Sequence, residues 1–195
     1  MSPISICVIM KNEQKNMENF LSAIQKHFND YPHEIVLVDT GSTDNTISIA
    51  QKYTDKIFHF DWIGDFSAAR NFSLQCAAYD WVLVLDCDEY IIDLDVRGFD
   101  ALITYYPQCV GMLSRKNHYE MNGTDSVYTD DVERFFNKKL FHYEAIIHEQ
   151  VRALDFPLNL SAKFSSSPIA VSCGIVTPSP EFTTFSITSG KTIHI

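Results

Sequence analysis

The stretch Trp81-Val82-Leu83-Val84-Leu85-Asp86-Cys87-Asp88-Glu89 decides the reading of this chain. A short apolar run between acids, rich in Val and Leu, has the length of a buried β-strand. Asp86 and Asp88 follow at i and i+2, positions that share one side of an extended segment. Two carboxylates placed so closely repel unless a divalent cation or a hydrogen-bond network holds them. Mg²⁺ and Mn²⁺ take oxygen ligands and leave coordination room for phosphates. A departing diphosphate needs such a cation, because negative charge builds on it as its bond breaks. The plainer alternative is an acidic loop that closes the strand, solvated and inert.

Working outward from this strand, residues 4–9 form a similar apolar run, and 14–28 follow with Met17, Phe20, Leu21, Ile24 and Phe28 at helical spacing. Residues 34–39 predict a second strand ending in Asp39. Gly41-Ser42-Thr43-Asp44 predicts a turn and a cap for a helix through Ile47, Ile49, Ala50 and Tyr53. Residues 56–60 predict a third strand, and Asp65 is placed to cap a helix over 66–78. Four strands alternating with three helices indicate a parallel sheet with right-handed crossovers. Ligands of such sheets bind beyond the carboxyl ends of the strands. Lys11, Asn12, Glu13, Asp39, Asp86 and Asp88 all fall there.

The pattern changes after Asp95. Residues 109–119, 126–136 and 140–151 predict shorter strands or hairpins, with Asn122-Gly123 as the clearest turn. One domain over 1–160 is expected, with a nucleotide-binding half (1–95) and an acceptor-facing half of mixed β structure (96–160). Residues 161–195 are rich in Ser, Thr and Pro, poor in charge and without helical period. They read as an atypical tail, truncated or out of frame; the coding DNA, read in the other frames, would show which.

With 195 residues, 46% of them hydrophobic, the chain has ample material for one core. The formal charge of −10 argues against nucleic acid as a partner. No run is long enough for a transmembrane segment, and no basic leader precedes the first strand. The five cysteines, at 7, 76, 87, 109 and 173, contain no CxxC pair, and three lie in apolar runs. They suggest small buried residues in a reducing, cytoplasmic setting.

Five stretches taken in order carry a family resemblance: 6–13 (ICVIMKNE), 35–46 (IVLVDTGSTDNT), 65–71 (DFSAARN), 81–89 (WVLVLDCDE) and 147–150 (IHEQ). Over residues 4–152 the chain resembles the inverting family 2 glycosyltransferases of GT-A fold, an α/β class with a Rossmann-like, mostly parallel central sheet flanked by helices. It is most similar to bacterial lipopolysaccharide-core glucosyltransferases and their relatives. A phosphatase-type Asp-x-Asp differs, since it follows the first strand of its domain and is succeeded by Thr or Val. Here the pair follows the fourth strand and continues Glu89-Tyr90.

The resemblance implies a UDP-sugar donor, Mg²⁺ or Mn²⁺, and a saccharide or lipid-linked acceptor, the last allowing peripheral contact with the inner membrane face. It implies nucleotide binding by Glu13, Asp39, Arg70, Asn71 and Asp86, and metal binding by Asp86, Asp88 and His148. Each has a bland reading beside it. Asp39 is also a turn cap, Glu13 a first-turn acid favoured by the helix dipole, and Asp44 a helix cap. Arg70, on a helix between small and apolar residues, needs an anion, either the nucleotide or the acidic loop, or else an ion pair with Asp65 or Asp86. Asn71 is expected to support the acidic loop. Glu149 is the candidate base that takes the acceptor hydroxyl proton, with Glu144 and His142 close in sequence. On a regular strand His148 and Glu149 would face opposite ways, so both serving one site requires irregular backbone. Trp62, Trp81, Phe135 and Phe136 are assigned to the core. The competing function is a nucleotide-sugar-binding protein that is catalytically incomplete. A nucleotidyltransferase is disfavoured because no Gly-rich phosphate loop follows the first strand.

Overall fold

The computed structural model describes residues 1–121, 124–154 and 169–177, the last of these as backbone. Strands β1 (Ile4–Met10), β2 (His33–Asp39) and β4 (Trp81–Asp86) are buried along nearly their whole length, as parallel strands covered on both faces must be. With β3 (Ile57–His59) they form the expected parallel array in the order β3-β2-β1-β4. Helix α1 (Met17–His27) buries its predicted stripe of Met17, Phe20, Leu21 and Ile24. Helix α2 (Thr46–Ala50) stops short of Tyr53. Asp44 fulfils its capping reading there, accepting from the Thr46 amide at 2.9 Å. Helix α3 (Phe66–Cys76) starts at Asp65, whose carboxylate accepts from the Ala68 amide at 3.0 Å.

The second half departs from expectation. A strand β5 (Tyr90–Leu94) and a helix α4 (Val96–Tyr105) come first; the Asp95 cap and a short Phe99/Leu102 stripe interrupted by Gly98 were too weak a signal to find them. Strands β6 (Gly111–Met121) and β7 (Thr124–Asn137) are long rather than short. The Asn122-Gly123 turn lies outside the described residues. Strand β7 pairs antiparallel with β4, placing Leu83 opposite Phe135, so the second half extends the central sheet. Strands β8 (Phe141–Glu144) and β9 (Gln150–Ala153) make a separate ribbon.

Strand β10 (Ile169–Thr177) lies between β6 and β5, completing the order β3-β2-β1-β4-β7-β6-β10-β5. Part of the stretch read as an atypical tail is therefore sheet. Its composition hid this, since Ser, Thr and Gly break the apolar alternation that marks a strand. The rest of 161–195 lies outside the described residues.

Alternation along β4 sorts the core and aims the site. Trp81, Leu83 and Leu85 face one side with α1 and α4 residues such as Phe20 and Phe99. Val82 and Val84 face the α3 side with Leu74, Phe136 and Tyr143. Asp86 continues the even-numbered row and so enters the α3 side, where Arg70 stands.

Candidate active site

The carboxyl ends of β1, β2 and β4 are in register: Met10 pairs with Asp39 and Ile9 with Asp86. The loops beyond them are stitched together. Asn12, in left-handed backbone at φ 56°, accepts from the Thr43 amide at 2.8 Å, and the Glu13 amide donates to Thr46 Oγ1 at 2.7 Å. Asp39 is buried and accepts from the Gly41 and Ser42 amides at 3.0 and 3.1 Å. That geometry is a turn cap. Glu13 is half-buried, accepts from Asn16 Nδ2 at 2.9 Å, and has its pKa raised by burial, with that hydrogen bond opposing.

Asp86 is enclosed. Arg70 Nη2 donates to its Oδ1 at 2.8 Å and Arg134 Nη2 to its Oδ2 at 2.7 Å. Burial works to raise its pKa, but the two guanidiniums outweigh that and hold the carboxyl well below the usual range. From Asp86 a chain of alternating charges runs both ways. On one side Arg70 Nε donates to Glu149 Oε1 at 2.7 Å. On the other, Arg134 Nη2 donates to Glu89 Oε1 at 2.9 Å, Arg115 Nη1 reaches the same oxygen at 3.3 Å, and Arg115 Nε donates to Asp130 Oδ1 at 3.0 Å. Arg115 and Asp130 are direct cross-strand partners of β6 and β7.

Asp88 stands outside this chain. No positive side chain among the described residues contacts it. Burial, then Asp86, Glu89 and Glu13, push its pKa up to about 8. It is half-buried in a turn in which the Glu89 amide donates to the Asp86 carbonyl at 3.0 Å. The strand alternation that grouped Asp86 with Asp88 stops at Asp86, where β4 ends and the turn begins, and Asp86 still acts on Asp88 through its charge.

Glu149 and His148 lie on the loop between β8 and β9, where Ala145 (φ 79°) and His148 (φ 57°) are left-handed. The backbone is irregular, as simultaneous service by both residues requires. Glu149 is largely buried against Arg70, whereas His148 is exposed. Glu144 is exposed and pairs with His142 at 2.9 Å. Asn71 grips the backbone of Tyr143, donating to its carbonyl at 2.8 Å and accepting from its amide at 2.9 Å. It therefore anchors β8 and not the acidic loop, as a helix residue facing the ribbon will. A cavity of about 540 Å³ borders Glu149, His148, Tyr143, Arg134, Arg115 and Arg152, within the range of small-molecule sites.

Among the described residues, no three His, Cys, Asp or Glu side chains converge as a metal cluster. The expected set of Asp86, Asp88 and His148 is thus not assembled, since both Asp86 oxygens are taken and His148 faces solvent. A divalent cation still fits Asp88 in part. Mg²⁺-type sites often use one or two carboxylates plus substrate phosphates, and Asp88 has no positive partner among the described residues. Sequence reasoning missed Glu89, Arg115 and Arg134. The Arg-Phe-Phe run at 134–136 was a usable signal, because an arginine beside two core aromatics on a strand needs a buried anion. Trp62 is a correction: it is 39% exposed, edge-on to Phe66 at 4.8 Å, while Trp81, Phe135 and Phe136 are core as expected. Cys7 and Cys87 are buried and, with Cys76 and Cys109, unpaired.

The geometry can be set beside known proteins. A glycosyltransferase from Bacillus subtilis, SunS, is 33% identical over 152 residues, covering 76% of this chain and 35% of that protein. A TPR repeat-containing protein of Synechococcus elongatus is 40% identical over 92 residues, covering 47% of this chain and 22% of that one. The chain thus spans about a third or less of the length of these relatives. The crystal structure of S. aureus TarS 1-349 in complex with UDP superimposes with a TM-score of 0.52 at 29% identity, covering 64% of this chain and 37% of that one. The family described as Glycosyl transferase family 2 matches residues 5–147. With its mostly parallel GT-A sheet and its acids at the strand ends, the chain belongs to glycosyl transferase family 2.

Proposed function

We propose that this domain transfers a hexose, glucose being the sugar the family resemblance favours, from a UDP-sugar to a glycan or lipid-linked saccharide with inversion. The observation that carries the reading is the isolation of Asp88: arginines bond Asp86 and Glu89, while no positive side chain among the described residues pairs with Asp88, whose charge burial and the neighbouring acids disfavour. A bound divalent cation would neutralise the charge that builds on the leaving diphosphate. The similarity to TarS, solved with UDP and with UDP-GlcNAc, supports a uridine diphosphate donor.

This chain's own residues would do the rest. Glu13 and Asp39 line the crevice on the nucleotide side. Arg70 holds Asp86 and Glu149 in one frame, so the donor loop and the base keep a fixed relation. Glu149 borders the cavity and would accept the acceptor hydroxyl proton as that oxygen attacks the anomeric carbon. A second reading, nucleotide-sugar binding without turnover, draws on the commitment of Glu149 to Arg70. Donor turnover with Mn²⁺ separates the two. The enzyme reading expects UDP release that Asp88→Asn and Glu149→Gln each reduce at least 100-fold. UDP binding without release across a panel of donors and acceptors would reject it. No described helix is long and apolar enough to cross a membrane.

A further inference from the structure

Glu89 follows the acidic pair yet is itself 2% exposed. Its amide donates to the Asp86 carbonyl, and its Oε2 accepts from the Asp86 amide at 3.2 Å. One residue thus closes the 86–89 turn twice, through backbone and through side chain. Inside the turn Cys87 is buried, its Sγ directed to the Ile9 carbonyl at 3.8 Å. With Asp86, Cys87 and Glu89 all buried, Asp88 at i+2 is the least enclosed residue of the turn. Glu89 is held in turn by Arg134 of β7 and Arg115 of β6, and Arg134 also grips Asp86. The two ends of the turn are therefore clamped by a single guanidinium.

A buried ionic network of this kind adds little net stability over an apolar core of similar volume. Its specific effect is to fix geometry. We propose that Glu89 and Arg134 are positioning residues: they set the orientation of Asp88 toward the donor's cation and diphosphate. The inference rests on the reading of Asp88 as the cation ligand. Arg115 and Asp130 extend the clamp into the β6–β7 hairpin, so the acidic turn is referenced to the acceptor-facing half as well as to β4.

The test is Mn²⁺ affinity, read by electron paramagnetic resonance with UDP present, on the full chain and its variants. Wild type should bind Mn²⁺, and Asp88→Asn should lose it. Glu89→Gln and Arg134→Met should each weaken Mn²⁺ at least tenfold, while UDP affinity in EDTA changes less than twofold. Arg134→Lys should recover only part of the loss, because an ammonium does not span both acids as the guanidinium does. Should Glu89→Gln fail to fold, the charge-balanced pair Glu89→Gln with Arg115→Met is measured in its place, with the same expectation. Folded variants with wild-type Mn²⁺ affinity overturn the inference and leave the reading of Asp88 standing. Wild type without Mn²⁺ binding, or Asp88→Asn with affinity intact, overturns that reading and the inference with it.

Discussion

Arg70 donates from Nε to Glu149 at 2.7 Å, tying the third helix to the loop between the two strands of the small ribbon. Its Nη2 holds Asp86 at 2.8 Å, and its guanidinium lies 5.5 Å from the centre of the Tyr143 ring. Removing it takes the guanidinium from Glu149 and leaves Asp86 with Arg134 as its remaining arginine. Arg70→Ala is expected to cost about 3–5 kcal/mol, measured by urea denaturation. A cost below about 1 kcal/mol would show that the pairings carry no structural weight.

Asp88 should oppose folding at neutral pH. Burial and the neighbouring acids raise its carboxyl from the ordinary carboxylate range to about 8 in the folded protein, so the native state holds a proton the unfolded chain has released. Stability contributed by that proton is present below pH 4 and is lost as pH rises toward 8. Asp88→Asn is therefore expected to raise the Tm at pH 8 by a few degrees, on the order of 1 kcal/mol, with the gain shrinking toward pH 4. A gain that is independent of pH would reject this account.

Asp39 separates its two readings by comparing stability with affinity. As a turn cap for two amides, its replacement by Ala costs about 1 kcal/mol. If it also meets the uracil or ribose, UDP affinity in Asp39→Ala should fall at least tenfold while thermal scans show only the modest loss. Parallel small changes in both would leave it a cap alone.

Trp62 is an exposed indole near the loop that carries Glu149, and its contact with a sugar can be tested. It is partly exposed beside Phe66, whose amide donates to the Ile146 carbonyl in the loop that carries Glu149. Trp62→Ala is expected to leave the fold intact and to raise the KM for a saccharide substrate 2- to 10-fold, the worth of an aromatic contact of about 0.5–1.5 kcal/mol. An unchanged KM would return Trp62 to ordinary surface.

What was legible in the sequence follows from where local signals are strong. Strands β1, β2 and β4 and helix α1 were readable because apolar runs and 3.6-residue stripes are imposed by burial on both faces of a sheet. Asp44, Asp65 and Arg70 were readable as cap, cap and anion-seeker from their immediate neighbours. The pairing of Arg134 with Asp86 was not, since it depends on β7 returning antiparallel beside β4, a relation 48 residues apart that no local pattern encodes. Asn71 was misassigned for the same reason, its partner Tyr143 being 72 residues away. Asp86 and Asp88 were grouped by strand alternation, which ceased to apply where the strand ended.

Titration of UDP into the protein with and without Mn²⁺, in wild type and Asp88→Asn, tests the central claim most directly. The account predicts that Mn²⁺ strengthens UDP binding at least tenfold in wild type and has no effect in the variant. Equal UDP affinity in Mn²⁺ and EDTA, or a metal effect that survives Asp88→Asn, would contradict it.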